Sequence, residues 1–533
     1  MNTGVIISFF LFTLLSAGIA VYKTRKQKKN TSVDFFLGSR SLGFWMIGSS
    51  LLLTNLSANQ FIGENEFVYT TNMSVMAWGM SSVLAMLLVA EFLMPVYLKI
   101  GAITTVDFLE KRFDSQTKKM VSVVFLLSYL VNLVPAVLYG SAVAINGIFH
   151  IDVHFGLSYF SAIRLLVLLV GTVGGMYVLL GGLKAITVSD VVQGAGMLAG
   201  GLLLCWFAFS KLGDGDVWAG VYKTATENKS HLNAIGGPHD PLPFSTLFTG
   251  MLLINIYYWG MEQYIVQQAL ASKSLADSQK GISLACVGKL ISPLLLNIPG
   301  LIALQLYPGI KNTATVFPAL VGDVLPPLLA GFIAAVIFGA ALSTFNAGMN
   351  SLGTLFVMNF YMPWSKRNIV SDDIELRALR TGKKFQFLVI VLAICCSPYI
   401  MFFKGGFYDF LQRATSFFSV PVFTVMAVGL ITKRVPAIAA KIGLFFFTGV
   451  YFLTQFVFDT GMHYLHVLAV LFVITMVLMM AIGKLKPLAA PFVLPSAGAV
   501  DIQPWKQRHW YFGILIILMI LVFVLFSPLG LAS

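Results

Sequence analysis

Polar side chains collect inside apolar segments at a few places in this chain. The run Ser50-Leu-Leu-Leu-Thr-Asn-Leu-Ser-Ala-Asn-Gln-Phe-Ile-Gly63 carries Thr54, Asn55, Ser57, Asn59 and Gln60, with Glu64 and Glu66 just beyond. A second interruption is Asn255-Ile-Tyr-Tyr-Trp-Gly-Met-Glu-Gln263. Lys289 stands mid-way along an apolar run, and Ser343 and Thr344 are adjacent hydroxyls in another. In hydrocarbon such groups are costly unless they face a cavity or a partner. Amides, hydroxyls and an ammonium supply both donors and acceptors. A broken helix whose unwound backbone lines a cavity at mid-membrane is the pattern of a secondary transporter.

The elements that hold these groups follow from composition. The 533 residues are 58% hydrophobic and 11% charged, with mean hydropathy +0.85, so the class is an all-α polytopic membrane protein. Spans long enough to cross about 30 Å of hydrocarbon are read at 4–22, 43–70, 76–97, 119–148, 161–180, 187–210, 243–268, 281–305, 328–360, 385–402, 407–431, 436–456, 461–482 and 509–528, fourteen in all. The first is read as a retained span, because a basic run follows it without a small-residue cleavage site.

Loop charge supports the count. Basic clusters at Lys23–Lys29, Lys99–Lys119, Lys273–Lys280, Lys366–Lys384, Lys433–Arg434 and Lys484–Arg508 all follow odd-numbered spans. The positive-inside rule then places both termini outside, across a cell (inner) membrane. The net charge of +13 is accounted for by these loops and calls for no nucleic acid. Cys205, Cys286, Cys395 and Cys396 lack metal-ligand spacing and are read as small core residues.

The two polar interruptions lie five spans apart and so enter the membrane from opposite sides. That pattern predicts a five-plus-five inverted repeat with broken first helices. The predicted parts are an additional span and basic loop over 1–42, repeats over 43–210 and 243–431 separated by an outer loop 211–242, and three further spans over 432–533. Broken helices around a midplane site imply a secondary transporter. A pore of symmetric polar rings is not indicated. Nor is an intramembrane enzyme, since no histidine pairs visibly with Ser or Cys.

Six motifs carry a family resemblance: Asp34-Phe-Phe-Leu-Gly-Ser-Arg-Ser-Leu, the Asn55…Gln60-Phe-Ile-Gly63 break, Gly181-Gly-Leu-Lys-Ala-Ile-Thr-Val-Ser-Asp190-Val-Val-Gln193, Tyr257-Tyr-Trp-Gly…Gln263-Tyr-Ile-Val-Gln267, Ala271-Ser-Lys-Ser…Gln279-Lys-Gly281 and Ser343-Thr-Phe-Asn…Met349-Asn-Ser351. Over nearly the whole chain they resemble the sodium:solute symporter family, most of all its sugar-transporting branch. The resemblance implies sodium-coupled uptake of a sugar or sugar derivative by alternating access, with sodium as the coupling ion. The sequence does not set the oligomeric state, and a monomer in the lipid bilayer is the simplest unit. A proton-coupled variant through Glu64, Asp190 or Lys289 stays open.

The same resemblance implies site residues. Gln60, Ser82, Asn255 and Lys289 fall on sugar-contacting positions and Tyr258 on the aromatic inner gate. Sodium falls between the carbonyls of Leu53 and Leu56 and Ala340, Ser343 and Thr344, with Asp190 on its exit path. Read alone, Ser343 and Thr344 are as consistent with helix packing or back-bonding, and Asp190 with a membrane-boundary residue near Lys184.

Three places depart from the sugar pattern. Gly79 stands where a Glu is expected, and Arg413 where a Gln is, with Gln412 the alternative after a one-residue shift. The outer-gate places read Glu64, Trp78 and Asp409. Two readings follow. Arg413 binds an acidic sugar such as a uronate, or it pairs with Glu64 or Asp409 as a charged outer gate around a neutral sugar. Glu66 is read as a solvated vestibule residue.

Overall fold

The computed structural model describes residues 2–24, 37, 40–56, 58–181, 183–368, 374–402, 407–458, 460–498 and 500–533, with all of their side chains except those of 24, 58–59, 180–181, 366–368 and 407–414. Its secondary structure is helical throughout, with two isolated β-bridges among the described residues. Eleven described helices are long and apolar enough to cross a membrane. The other three predicted spans are accounted for by shape. Two are helices broken into short halves, and the third is Phe407–Ile431.

The first break separates Phe44–Asn55 from Ala58–Thr70, with Leu56 at φ −75°, ψ 71°. The second separates Gly250–Gly260 from Gln263–Leu270, through Met261 and Glu262. Polar residues cluster at both points because a helix end leaves backbone groups without intrahelical partners. At the second break one such carbonyl is satisfied from outside: Tyr97 Oη donates to Gly260 O at 2.8 Å. The eighth span also bends. Pro293 lies inside Leu275–Leu296, and Asn297 joins that helix to Ile298–Leu306. Single π-helical turns occur at Val89–Leu93, Tyr129–Leu133 and Val357–Tyr361. Such turns re-aim side chains and recur at functional sites.

Burial separates core from periphery. The span Pro327–Ser365 has 83% of its apolar window buried, whereas Thr3–Lys23 has 11% and Arg508–Leu525 17%. The first and last spans therefore form the outer surface. Phe44–Asn55 packs on Leu275–Leu296 and on Leu183–Leu212. Its approach to Leu275–Leu296 depends on missing side chains: a Cβ on Gly48 would lie 2.9 Å from the Gly281 carbonyl, and one on Gly288 2.4 Å from Leu52 Cδ2. Small residues of this kind let membrane helices touch at the backbone.

Two sequence readings change. Cys205 and Cys286 are buried, but Cys395 and Cys396 are exposed, because the end of Ile374–Cys396 faces outward from the bundle. Arg112, counted among loop charges, is 2% exposed. Its guanidinium donates to the carbonyls of Gly429, Thr432 and Val435, fastening the third-to-fourth span loop to the end of the eleventh span. Burial pulls the Arg112 pKa below its ordinary value.

Candidate solute and cation site

Both helix breaks open on one cavity of about 200 Å³. Gln60, Ser82, Asn255, Tyr258 and Lys289 line it together, as do Glu64 and Trp78. These seven side chains come from four helices in two distant stretches of the chain, 58–88 and 250–296, so only the fold could place them around a common space. The side chains of Asp409, Gln412 and Arg413 lie outside the described residues.

Asn255 is the most fully tied of the group. Its Oδ1 accepts from Ser82 Oγ at 2.7 Å, and its Nδ2 donates to Ser81 Oγ at 2.8 Å and to Met251 O at 3.2 Å. The network fixes the amide plane and joins the seventh span to the third. Tyr258 Oη accepts from Asn55 Nδ2 at 3.0 Å and from Tyr264 Oη at 2.9 Å. That tyrosine therefore bridges the two broken helices across the cavity. Gln60 Oε1 and Asn55 Oδ1 are buried oxygens with no hydrogen-bond partner among the described residues. Each such atom costs about 1–3 kcal/mol if it stays unmet.

Lys289 is 1% exposed, with the Trp259 ring 6.0 Å from its Nζ. Glu64 is 4% exposed, and its Oε2 accepts from Asn297 Nδ2 at 3.1 Å. Trp78 O accepts from Ser82 Oγ at 2.8 Å, so the backbone beneath the Trp78 ring is part of the same network. Gly79 is buried beside Ser292, whose Oγ would lie 3.1 Å from a Cβ at that position. Glu66, outside the cavity, accepts from the Thr313 hydroxyl.

Thr344 also lines the cavity, at the edge next to the first break. Its Oγ1 donates to Thr54 O at 2.8 Å and contacts Ala340 O at 3.2 Å. Ser343 Oγ lies 3.1 Å from Thr54 Oγ1, which also accepts from Gln268 Nε2 at 2.8 Å. Leu53 and Leu56 are fully buried, and the helix ends beside them, where carbonyls lose their i+4 donors. The result is a cluster of neutral oxygens from two helices, the kind of donor a monovalent hard cation uses. Asp190 accepts from the Ser50 hydroxyl and shares a smaller cavity of about 80 Å³ with Ser343, Ser189 and Asn346.

Several contributors escaped the sequence reading. Asn132 and Thr415 line the cavity and are bonded to each other at 3.0 Å. Asn132 sits in the π-helical turn Tyr129–Leu133, a local geometry that hydropathy does not reveal. Tyr264 also lines the cavity and donates to Tyr258, while Asn297 and Gln268 stand behind it and hold Glu64 and Thr54. An amide inside an apolar span was the available signal for Asn132 and Asn297, the same signal that singled out Lys289.

The model of the sodium:solute symporter family matches residues 35–446. The chain is 40% identical over 512 residues to the uncharacterized symporter YidK of Escherichia coli K12, covering 95% of this chain and 88% of that one. It is 28% identical over 468 residues to the sodium/glucose cotransporter of Vibrio parahaemolyticus, covering 82% of each. Among solved structures, a Na+-coupled sialic acid symporter in a substrate-bound outward-open state superposes with TM-score 0.77 at 19% identity, over 92% of this chain and 99% of the other. Mhp1, a nucleobase-cation-symport-1 family transporter, superposes with TM-score 0.57 at 14% identity, over 91% and 99%. These likenesses bear out the inverted-repeat fold expected from the placement of the breaks. Its broken helices, the polar groups that line its cavity and the extent of the match make this chain a member of the sodium:solute symporter family, a multi-pass, sodium-coupled solute symporter and not an enzyme.

Proposed function

We propose that the protein carries a sugar or sugar derivative into the cell with sodium, across a cell (inner) membrane and with both termini outside. The observation that carries this reading is the convergence of Gln60, Ser82, Asn255, Tyr258 and Lys289 on one cavity that borders the Thr54–Thr344 contact. A sugar presents a ring of hydroxyls and an apolar face. Amide, hydroxyl and ammonium groups meet the first, and an aromatic ring covers the second. The sugar-cotransporter relatives agree with this choice of solute.

Sodium in this reading is held by the carbonyls of Leu53, Leu56 and Ala340 and the hydroxyls of Ser343 and Thr344, with Asp190 on its way to the cytoplasm. Binding would tie the helix Pro327–Phe356 to the first break and so fix Asn55 and Gln60 for the sugar. By linkage each ligand then raises the affinity for the other by the same factor. The repeats 43–210 and 243–431 rock about the site, and the spans before and after them form its surround. A thermal-shift panel of hexoses, polyols, amino acids and nucleobases, with and without sodium, tests the proposal. A sodium-dependent rise in melting temperature with a hexose or polyol supports it; a response confined to amino acids or nucleobases overturns it.

A further inference from the structure

Among the described residues that line the cavity, two carry charge: Glu64 and Lys289. They stand on different helices, Ala58–Thr70 and Leu275–Leu296. Each is nearly sealed from solvent, and each feels the other's charge. Neither closes a direct ion pair with a described residue. Glu64 has one hydrogen bond, from Asn297, and Lys289 has only the face of Trp259. Both keep hydrogen-bonding capacity for a solute. The ammonium brings three donors, and the carboxylate brings acceptors alone.

Their sum matters as much as their chemistry. A lone buried ammonium would be a ready receptor for a carboxylate. With Glu64 on the same cavity, the charges of the two cancel. A carboxylated solute would have to lose its water and lie near a carboxylate of the same sign, in surroundings that screen poorly. A neutral polyol meets no such penalty. One of its hydroxyls can accept from Lys289 while another donates to Glu64. The third span brings no competing acid to the cavity, where it contributes Trp78 and Ser82 and where Gly79 has no side chain.

The geometry points to Glu64 as a specificity-determining residue: it cancels the charge of Lys289 and restricts the solute to a neutral polyhydroxylated molecule, excluding its carboxylated counterpart. The inference rests on the sugar reading above and narrows it. It also gives Glu64 a contact role in place of the outer-gate role expected from its sequence position.

The test is equilibrium binding of a labelled neutral hexose to the purified full-length protein in sodium, displaced by unlabelled hexose or by the matching hexuronate. The wild type should discriminate against the uronate by at least about tenfold. Glu64→Gln, which keeps an acceptor oxygen for Asn297, should weaken the hexose and move the ratio toward the uronate by about tenfold or more. Adding Lys289→Gln should abolish that gain, because the positive charge it exposes is removed. Glu64→Asp keeps the charge and should keep the exclusion, whatever its affinity. A wild type that prefers the uronate, an unchanged ratio in Glu64→Gln, or uronate binding in Glu64→Asp overturns the proposal. If no sugar binds the wild type in sodium, the sugar reading itself fails and this proposal falls with it.

Discussion

Thr344 donates its hydroxyl to the backbone carbonyl of Thr54 at 2.8 Å, across 290 positions of sequence. The contact joins the most buried span to the point where the first broken helix unwinds. It lies at the rim of the solute cavity, so any group that competes for these oxygens also acts on the residues that face the solute. If the cation binds where proposed, that proximity would couple it to the solute.

Thr344→Ala and Ser343→Ala should each raise the sodium concentration needed for half-maximal solute binding. A lost hydrogen bond of about 1 kcal/mol gives a several-fold change, and about 1.4 kcal/mol gives tenfold. Solute affinity at saturating sodium should fall much less. Titrating sodium against solute-dependent fluorescence or thermal shift checks both, and equal effects at low and saturating sodium would contradict the ion role.

Asn255→Ala removes three hydrogen bonds and leaves the buried hydroxyls of Ser81 and Ser82 with the Trp78 carbonyl alone. The expected cost is about 1–3 kcal/mol of stability, together with weaker solute binding. Asn255→Asp keeps the acceptor for Ser82 but loses the donor to Ser81, and should fall between. Melting temperature and solute affinity, read on the same samples, provide the check.

Gly281 should not tolerate a larger residue. A Cβ there would meet Ile47 Cβ at 2.7 Å and Phe44 O at 3.1 Å, so Gly281→Val wedges the first broken helix away from the eighth span. Overpacking of this kind costs about 1–3 kcal/mol. Gly449, with nothing within 4 Å of its added Cβ, is the control, and Gly449→Ala should leave the melting temperature unchanged.

Asp114 gives a pH signature at the membrane edge. Burial pushes its carboxyl up, but Lys441 at 2.7 Å and the Thr117 backbone and hydroxyl bonds outweigh that, leaving it below the ordinary carboxylate value. Because the folded value is depressed, its contribution is present above the unfolded value near about 4. It fades as pH falls through the folded value. The side chain is about one-third exposed, at 34%, so the effect is small. The melting temperatures of wild type and Asp114→Asn should differ near neutral pH and converge in acid; a constant difference contradicts the assignment.

Much of the fold was legible in the sequence because hydropathy fixes span length. The breaks were legible because polar residues crowd around them, Thr54, Asn55 and Gln60 at the first and Glu262 and Gln263 at the second. Gln60, Ser82, Tyr258 and Lys289 were placed by resemblance, and they share one cavity. What sequence could not give was direction around a helix axis. Cys395 and Cys396 read like core residues, yet their helix presents them outward. Asn132 depends on a π-helical turn, and Arg112 on carbonyls more than 300 positions away. The contact of Asn297 with Glu64 requires the bend after Pro293, which brings two separate helices together.

The most direct test of the account is uptake by the purified protein in proteoliposomes, with a neutral labelled hexose outside and an imposed inward sodium gradient. The account predicts transient accumulation above the external concentration, abolished when the gradient is collapsed and greatly reduced in Thr344→Ala. Accumulation driven equally well by a proton gradient without sodium, or none above equilibration in any gradient, would contradict it.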